Sequence, residues 1–204
     1  MELKNIALSA VTAGVLIWGG AAQAATYQFG TNISGNGGPA FGHFADVTVT
    51  DADADGNWEF SINAFGLNAV FGGTSSFITL LGVDTGFGHE PTSVSSISGP
   101  VGSVGLGTGP IGSPLGPLDY GFAFPTSGKG GGVLRLTDGE VVSWVANGMG
   151  TFTDIPADMF VIHVQGIGTA GVSDWYISPV PEPETYAMLL AGLGLIGFSL
   201  RRQK

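Results

Sequence analysis

The chain has 204 residues, among them 36 Gly, 11 Pro and no Cys, and its 6 Lys and Arg against 16 Asp and Glu give a formal net charge of −10. Four of the six cations (Lys4, Arg201, Arg202 and Lys204) stand at the extreme ends, so the body cannot neutralise a run of phosphates and no nucleic-acid partner is expected. The lack of Cys excludes a disulfide framework, a thiolate metal site and a cysteine nucleophile.

In chain order, the first segment is a leader. Met1 to Asn5 is net positive with its α-amine, Ile6 to Trp18 is almost wholly apolar, and Ala22-Gln23-Ala24 is an A-x-A site whose small side chains suit signal peptidase. Residues 1–24 therefore read as a signal peptide cleaved after Ala24, marked by Ala22 and Ala24. The apolar run is short for the ~20 residues of a permanent span, which favours cleavage over an uncleaved anchor.

The body, 25–178, holds 13 acidic residues against only Lys129 and Arg135. Its signal is β throughout. His43 to Thr50 alternates, as does Trp58 to Ala64, with Trp58, Phe60, Ile62 and Ala64 on one face, and the pair predicts a hairpin. The intervening Asp51-Ala52-Asp53-Ala54-Asp55-Gly56 places Asp51, Asp53 and Asp55 on alternate positions of a loop that Gly56 can fold back. A hard cation such as Ca²⁺ is the candidate ligand. The second half departs from the EF-hand pattern: Ile62 stands where a bidentate Glu belongs, and the flanks read as strands. A solvated acidic turn is the plain alternative.

Phe77 to Leu81 predicts a further strand, and the Gly, Ser, Thr and Pro of 85–132 predict a long surface loop. Within it Gly107 to Gly112 fits G-x-G-x-x-G formally but opens no helix, and Gly128-Lys129 lacks the rest of a phosphate-binding loop. Val133 to Leu136 and Glu140 to Val145 flank Thr137-Asp138-Gly139 and predict a second hairpin. Met159 to Val164 and Trp175 to Ile177 add short strands. The fold class expected is all-β, an antiparallel β-sandwich or jelly roll.

No catalytic constellation is visible. His43, His89 and His163 lie at no metal-ligand spacing, and neither Ser103 nor Ser113 fits a nucleophile elbow. Paired carboxylates for glycoside hydrolysis depend on the fold and stay open. Trp58, Trp144 and Trp175 suit either a sugar platform or a core. Asn32-Ile33-Ser34 is a glycosylation sequon.

The C-terminal segment, 179–204, has a different grammar. Val180-Pro181-Glu182-Pro183-Glu184 precedes Tyr186 to Leu200, which carries no charge, and Arg201-Arg202-Gln203-Lys204 follows. As a helix, 186–200 would be about 22 Å long, short of the ~30 Å hydrocarbon core, which suits a temporary transmembrane anchor. Arg201, Arg202 and Lys204 form the membrane stop and hold that end in the cytoplasm by the positive-inside rule. Pro181 and Pro183 fix φ and lack N–H donors, so the motif stays extended beside the membrane.

Pro-Glu-Pro, an apolar helix and an Arg-rich end together resemble the PEP-CTERM sorting signal, recognised by exosortases in Gram-negative bacteria that make exopolysaccharide. The same segment also goes by the name of an ice-binding protein C-terminal domain, which implies no ice binding. The resemblance implies processing near Pro181, Glu182 and Pro183 by a membrane-embedded thiol transpeptidase. It also implies only transient residence in the inner membrane, and release of the body to the cell surface or extracellular matrix. The function expected is that of a non-enzymatic surface or matrix protein associated with exopolysaccharide and biofilm, with signal peptidase and exosortase as processing enzymes. No cofactor beyond the candidate Ca²⁺ is expected. A carbohydrate- or calcium-binding adhesion module and a small secreted hydrolase are the alternatives.

Overall fold

The computed structural model describes residues 23–51, 55–73, 75–85, 89–127, 134–150 and 160–178. The strands are β1 (Gln23–Asn32), β2 (Phe41–Asp51), β3 (Trp58–Ala64), β4 (Phe77–Val83), β5 (Ser93–Ser98), β6 (Gly105–Ser113), β7 (Gly116–Ala123), β8 (Glu140–Asn147), β9 (Phe160–Ile167) and β10 (Val172–Ile177). A single helical turn, α1 (Leu67–Phe71), buries Leu67 and Phe71 and stops at Gly72, whose left-handed conformation (φ 70°) closes it.

All pairings are antiparallel, and one sheet runs in the order β5-β8-β3-β2-β1-β10-β9-β4-β7-β6. The sheet curls until its halves face one another. Phe60 of β3 meets Phe122 of β7 at 4.9 Å between ring centroids and Phe160 of β9 at 6.4 Å, while Trp144 of β8 meets Phe122 at 5.0 Å. Those strands are far apart in the sheet order, so only a nearly barrel-shaped sheet brings their rings together. Edge strands β5 and β6 come into contact with each other as the curl nears closure.

Period-two burial makes this interior. In β3 the pattern buries Trp58, Phe60, Ile62 and Ala64 and leaves Glu59 and Asn63 exposed, as the alternation predicts. In β2, Ala45, Val47, Val49 and Asp51 are buried while Asp46, Thr48 and Thr50 alternate with them. The expected β2–β3 hairpin forms, with Val47 opposite Ile62 and Val49 opposite Phe60. The strands expected at 77–81, 159–164 and 175–177 appear as β4, β9 and β10.

Two expectations are corrected. Part of the 85–132 segment is strand: β5, β6 and β7 lie in it. The edge strands β5 and β6 bury none of their residues fully, so Ser and Gly satisfy them and no apolar alternation marks them. The Gly107 to Gly112 run lies in β6 and opens no helix. Nor does the second hairpin form. The turn at Thr137-Asp138-Gly139 is present, with Gly139 at φ 80° and the Glu140 N–H donating to the Thr137 carbonyl at 3.3 Å. Leu136, however, bridges to Ile78 of β4, because β8 already pairs with β3 on one side and β5 on the other.

Candidate functional site

The outer face of β1, β2, β3, β8 and β5 is built from the polar halves of the alternating strands. Register places Thr26, Thr48, Ser61, Ser143 and Ser98 in one row across all five strands, with a spacing of about 4.8 Å per step. The Thr26 and Thr48 hydroxyls lie 3.2 Å apart, within hydrogen-bond reach. A parallel row runs Ala24, Thr50, Glu59, Val145 and Ser95, and another runs Gln28, Asp46, Asn63 and Val141. A groove of about 200 Å³ opens between the first two rows, lined by Thr48, Thr50, Glu59, Ser61, Ser96 and Ser143. Ser96 stands at φ 52°, a left-handed conformation rare outside Gly, at the bulge between Ser95 and Ser98.

At the far end of β1 and β2 the ladder shifts register between Phe29 and Thr31. There Gly30 and Gly42 pass so closely that a Cβ on Gly30 would fall 2.6 Å from the Gly42 carbonyl oxygen. The shift opens a recess of about 190 Å³ lined by Gln28, Thr31, Phe41 and His43. Phe41 is 78% exposed, and Phe65, also exposed, meets His43 edge-on at 4.7 Å. The His43 Nε2 lies 2.7 Å from Asp46 Oδ1. Alternating polar residues in strands are a visible sequence signal. That they fall into common rows depends on strand order, which sequence does not give.

Of the candidate calcium ligands, Asp51 closes β2 and is buried, with Oδ1 lacking a hydrogen-bond partner. Asp55 accepts from the Asn57 N–H and Asn57 Nδ2, both at 2.7 Å, an Asx turn that organises the hairpin connection. Asp53 lies outside the described residues. Among the described residues no three His, Asp or Glu side chains converge as a metal site.

One densely bonded carboxylate was not singled out by sequence. Asp174 of β10 is fully buried and accepts from Asn36 N–H (2.9 Å), Gly38 N–H (2.6 Å), Asn32 Nδ2 (2.9 Å) and the Ser34 hydroxyl. Burial alone would raise its pKa. The bonds from Ser34, Asn36, Asn32 and Gly38 together outweigh burial and hold the carboxyl below its ordinary value. Close approach demands glycine at 38, where a Cβ would collide with the Tyr176 hydroxyl and the Asp174 carboxylate. The sequon amide of Asn32 is thus occupied as an internal donor to Asp174, Tyr176 and the Gly38 carbonyl.

Trp58 and Trp144 are core, at 4% and 1% exposure, so neither is a sugar platform; Trp58 Nε1 donates to the Gly150 carbonyl at 2.9 Å. Trp175 is half-buried and packs on His163 at 4.5 Å. Burial lowers the His163 pKa against the opposing pull of Asp174, and its Nδ1 lies 2.7 Å from the Thr79 hydroxyl. Arg135 lies over the Phe77 ring at 4.1 Å and donates from Nε to the Thr126 carbonyl.

Ala22, Pro181, Glu182, Pro183, Arg201, Arg202, Lys204 and the apolar 186–200 segment lie outside the described residues. Among the described residues no helix is long and apolar enough to cross a membrane. Ala24 sits in β1 opposite Thr50. A mature chain beginning at Ala25 would keep the ladder from Ala25 opposite Val49 onward.

The described residues make an acidic, all-β antiparallel domain with a polar outer face and an aromatic core. Residues 179–203, directly after it, match the family model described as the PEP-CTERM protein-sorting motif. The chain carries that motif, which implies an exported protein sorted by exosortase toward the cell surface. No curated protein matches the sequence. A solved structure described as "pH-induced modulation of Streptococcus parasanguinis adhesion by Fap1 fimbriae" aligns over 78% of this chain and 96% of its own, with 12% identity and a TM-score of 0.41. At that score the likeness defines no shared fold.

Proposed function

We propose that the protein is a non-enzymatic component of the exopolysaccharide layer or biofilm matrix, delivered there by its C-terminal sorting motif. The match at 179–203 carries the reading. Its chemistry supports it: the body has two cations for 13 acids, so it stays soluble and repels anionic surfaces unless divalent ions bridge them. His163, one of the three histidines, pairs with the Thr79 hydroxyl inside the fold.

The test is the intact mass of the protein recovered from the surface or medium of its host. The expected native form begins at Ala25 and ends near Pro181-Glu182-Pro183, whereas a variant with all three motif residues changed to Ala stays in the inner membrane at higher mass. A native form retaining Tyr186 to Lys204 would make the tail a permanent anchor and sink the sorting reading.

A calcium-dependent adhesion module is the second reading, favoured by the buried, unpartnered Asp51 Oδ1 beside an acidic turn. A ligand held only by the folded state raises Tm by mass action. Calcium chloride should therefore raise Tm by several degrees in the wild type, reversibly with EDTA, and should leave Asp51→Asn unmoved. An unshifted wild type overturns this reading.

A further inference from the structure

We propose that the outer face of β2 and its neighbours binds a neutral polysaccharide, anchored at the recess beside Phe41 and continuing over the rows of Asp46 and Thr48. The inference deepens the matrix reading above and rests on it.

Three observations converge on this ligand chemistry. First, Phe41 and Phe65 are among the few large apolar side chains left exposed, and both stand near His43 at the recess. An exposed aromatic cluster beside a concavity marks a contact surface, since leaving such rings in water forgoes their burial. Second, the polar groups leading away from the recess suit a polyol. Gln28 and Asn63 offer amides that both donate and accept, Thr48, Ser61 and Ser143 offer hydroxyls that do the same, and Asp46 and Glu59 accept from sugar hydroxyls. A pocket that combines apolar area with a few placed polar groups is the ordinary form of a small-ligand site. Third, charge selects the polymer. Among the described residues no Lys or Arg lines the recess or the groove, while Asp46 and Glu59 flank them, so a uronate, sulfate or phosphate polymer is repelled and an uncharged glycan is not.

The geometry fits an extended chain. Phe41 to Thr50 along β2 spans about 30 Å at 3.4 Å per residue, room for several sugar rings rather than one. A ring stacked on Phe41 in the recess fixes one end. The His43 and Asp46 pair sits beside it, with the imidazole held by the carboxylate at 2.7 Å.

The test is affinity electrophoresis of the full-length chain, in mild detergent, through gels containing dextran, hydroxyethyl cellulose, galactomannan or polygalacturonate. The expected result is retardation by at least one neutral glycan and none by polygalacturonate. Phe41→Ala should weaken the retarding affinity about tenfold or more, as loss of an aromatic anchor does, and Ser61→Val by several-fold. Leu134→Ala, an exposed position away from this face, should bind as wild type. Equal Tm values for the variants show that they are folded.

Retardation by no neutral glycan overturns the proposal, as does equal retardation by polygalacturonate or wild-type binding by Phe41→Ala. A concentration-dependent dimer lost in Phe41→Ala, without glycan binding, assigns the face to a second copy instead and also overturns it. A correctly processed surface protein that binds no glycan sinks this inference alone, whereas an unprocessed, membrane-retained native form sinks the reading beneath it.

Discussion

Phe60→Ala is expected to lower the unfolding free energy by about 3–5 kcal/mol, the usual cost of deleting a buried aromatic ring. The ring is fully buried, stacks on Trp144 at 5.5 Å with planes 9° apart, and touches Phe122 and Phe160 from the opposite half of the sheet. Its loss removes transfer free energy and leaves a cavity that cannot collapse. Trp144, Phe122 and Phe160 are each held by their own strand ladders, in β8, β7 and β9. For a domain of this size each kcal/mol moves Tm by roughly 2–4 °C, so a fall on the order of 10 °C in thermal denaturation is the readout. Phe60→Leu keeps most of the volume and should cost markedly less. Equal, small losses in both variants would mean that the two halves of the sheet do not depend on this ring.

Asp174→Ala is the second large effect, and it acts through a different mechanism. The substitution leaves the Asn36 and Gly38 amides, the Asn32 amide and the Ser34 hydroxyl without their common acceptor. Hydrogen bonds to a charged group each contribute about 1.5–3 kcal/mol, and buried donors left unmade add their desolvation cost. A total loss of about 3 kcal/mol or more is expected, with exchange protection lost first in the 32–38 loop. Asp174→Asn should not rescue it, because an amide NH₂ turned into this nest meets donors with a donor. Ser34→Ala, which removes one bond of the set, should cost about 1.5–3 kcal/mol.

The same carboxylate sets an acid dependence. Its folded pKa lies below the unfolded value, so the folded state binds its proton less readily than the unfolded chain. The stabilisation is therefore fully present above the unfolded pKa of about 3.9 and is lost as pH falls through the lower folded value. Urea midpoints measured from pH 6 down to pH 2 should fall less steeply in Asp174→Ala than in wild type. Parallel curves would remove Asp174 from the acid response.

Most of the strands that pair on both sides were legible from residues alone, but β1, between β2 and β10, was not. Trp58 to Ala64 alternates cleanly because its inner residues fill the core and its outer ones meet water, and β2 does the same, whereas β4, β9 and β10 were marked as short apolar runs. β5 and β6 were hidden for a physical reason: an edge strand with little core to cover needs no apolar alternation, and Ser and Gly serve it. β7 did carry a pattern in Leu118, Tyr120 and Phe122, now buried, but the Gly and Pro around it mask the period. The Asp-Gly turn at 138–139 was read correctly while the partner of Leu136 was not, because a turn fixes chain reversal and not which ladder is vacant.

At the candidate site the balance is similar. Asp51 and Asp55 stand out by spacing, yet Asp55 spends both oxygens on its own turn. Asp174, isolated in sequence, gathers donors from a loop about 140 residues away. The outer-face rows needed the register of five strands before Thr26, Thr48, Ser61 and Ser143 could be seen as neighbours.

β1 and β10 lie side by side at the middle of the sheet, and β10 is all that joins β1 to β9. A chain threaded across a membrane from its N-terminus delivers β10 after every other described strand. Without it the sheet is in two pieces, one of five strands and one of four, each with an open inner edge on which another chain can pair. β10 ends at Ile177 and the sorting motif begins at 179. A single residue thus separates the strand that completes the sheet from the start of the sorting motif, so the sheet can close only once nearly all of the chain ahead of that motif has emerged.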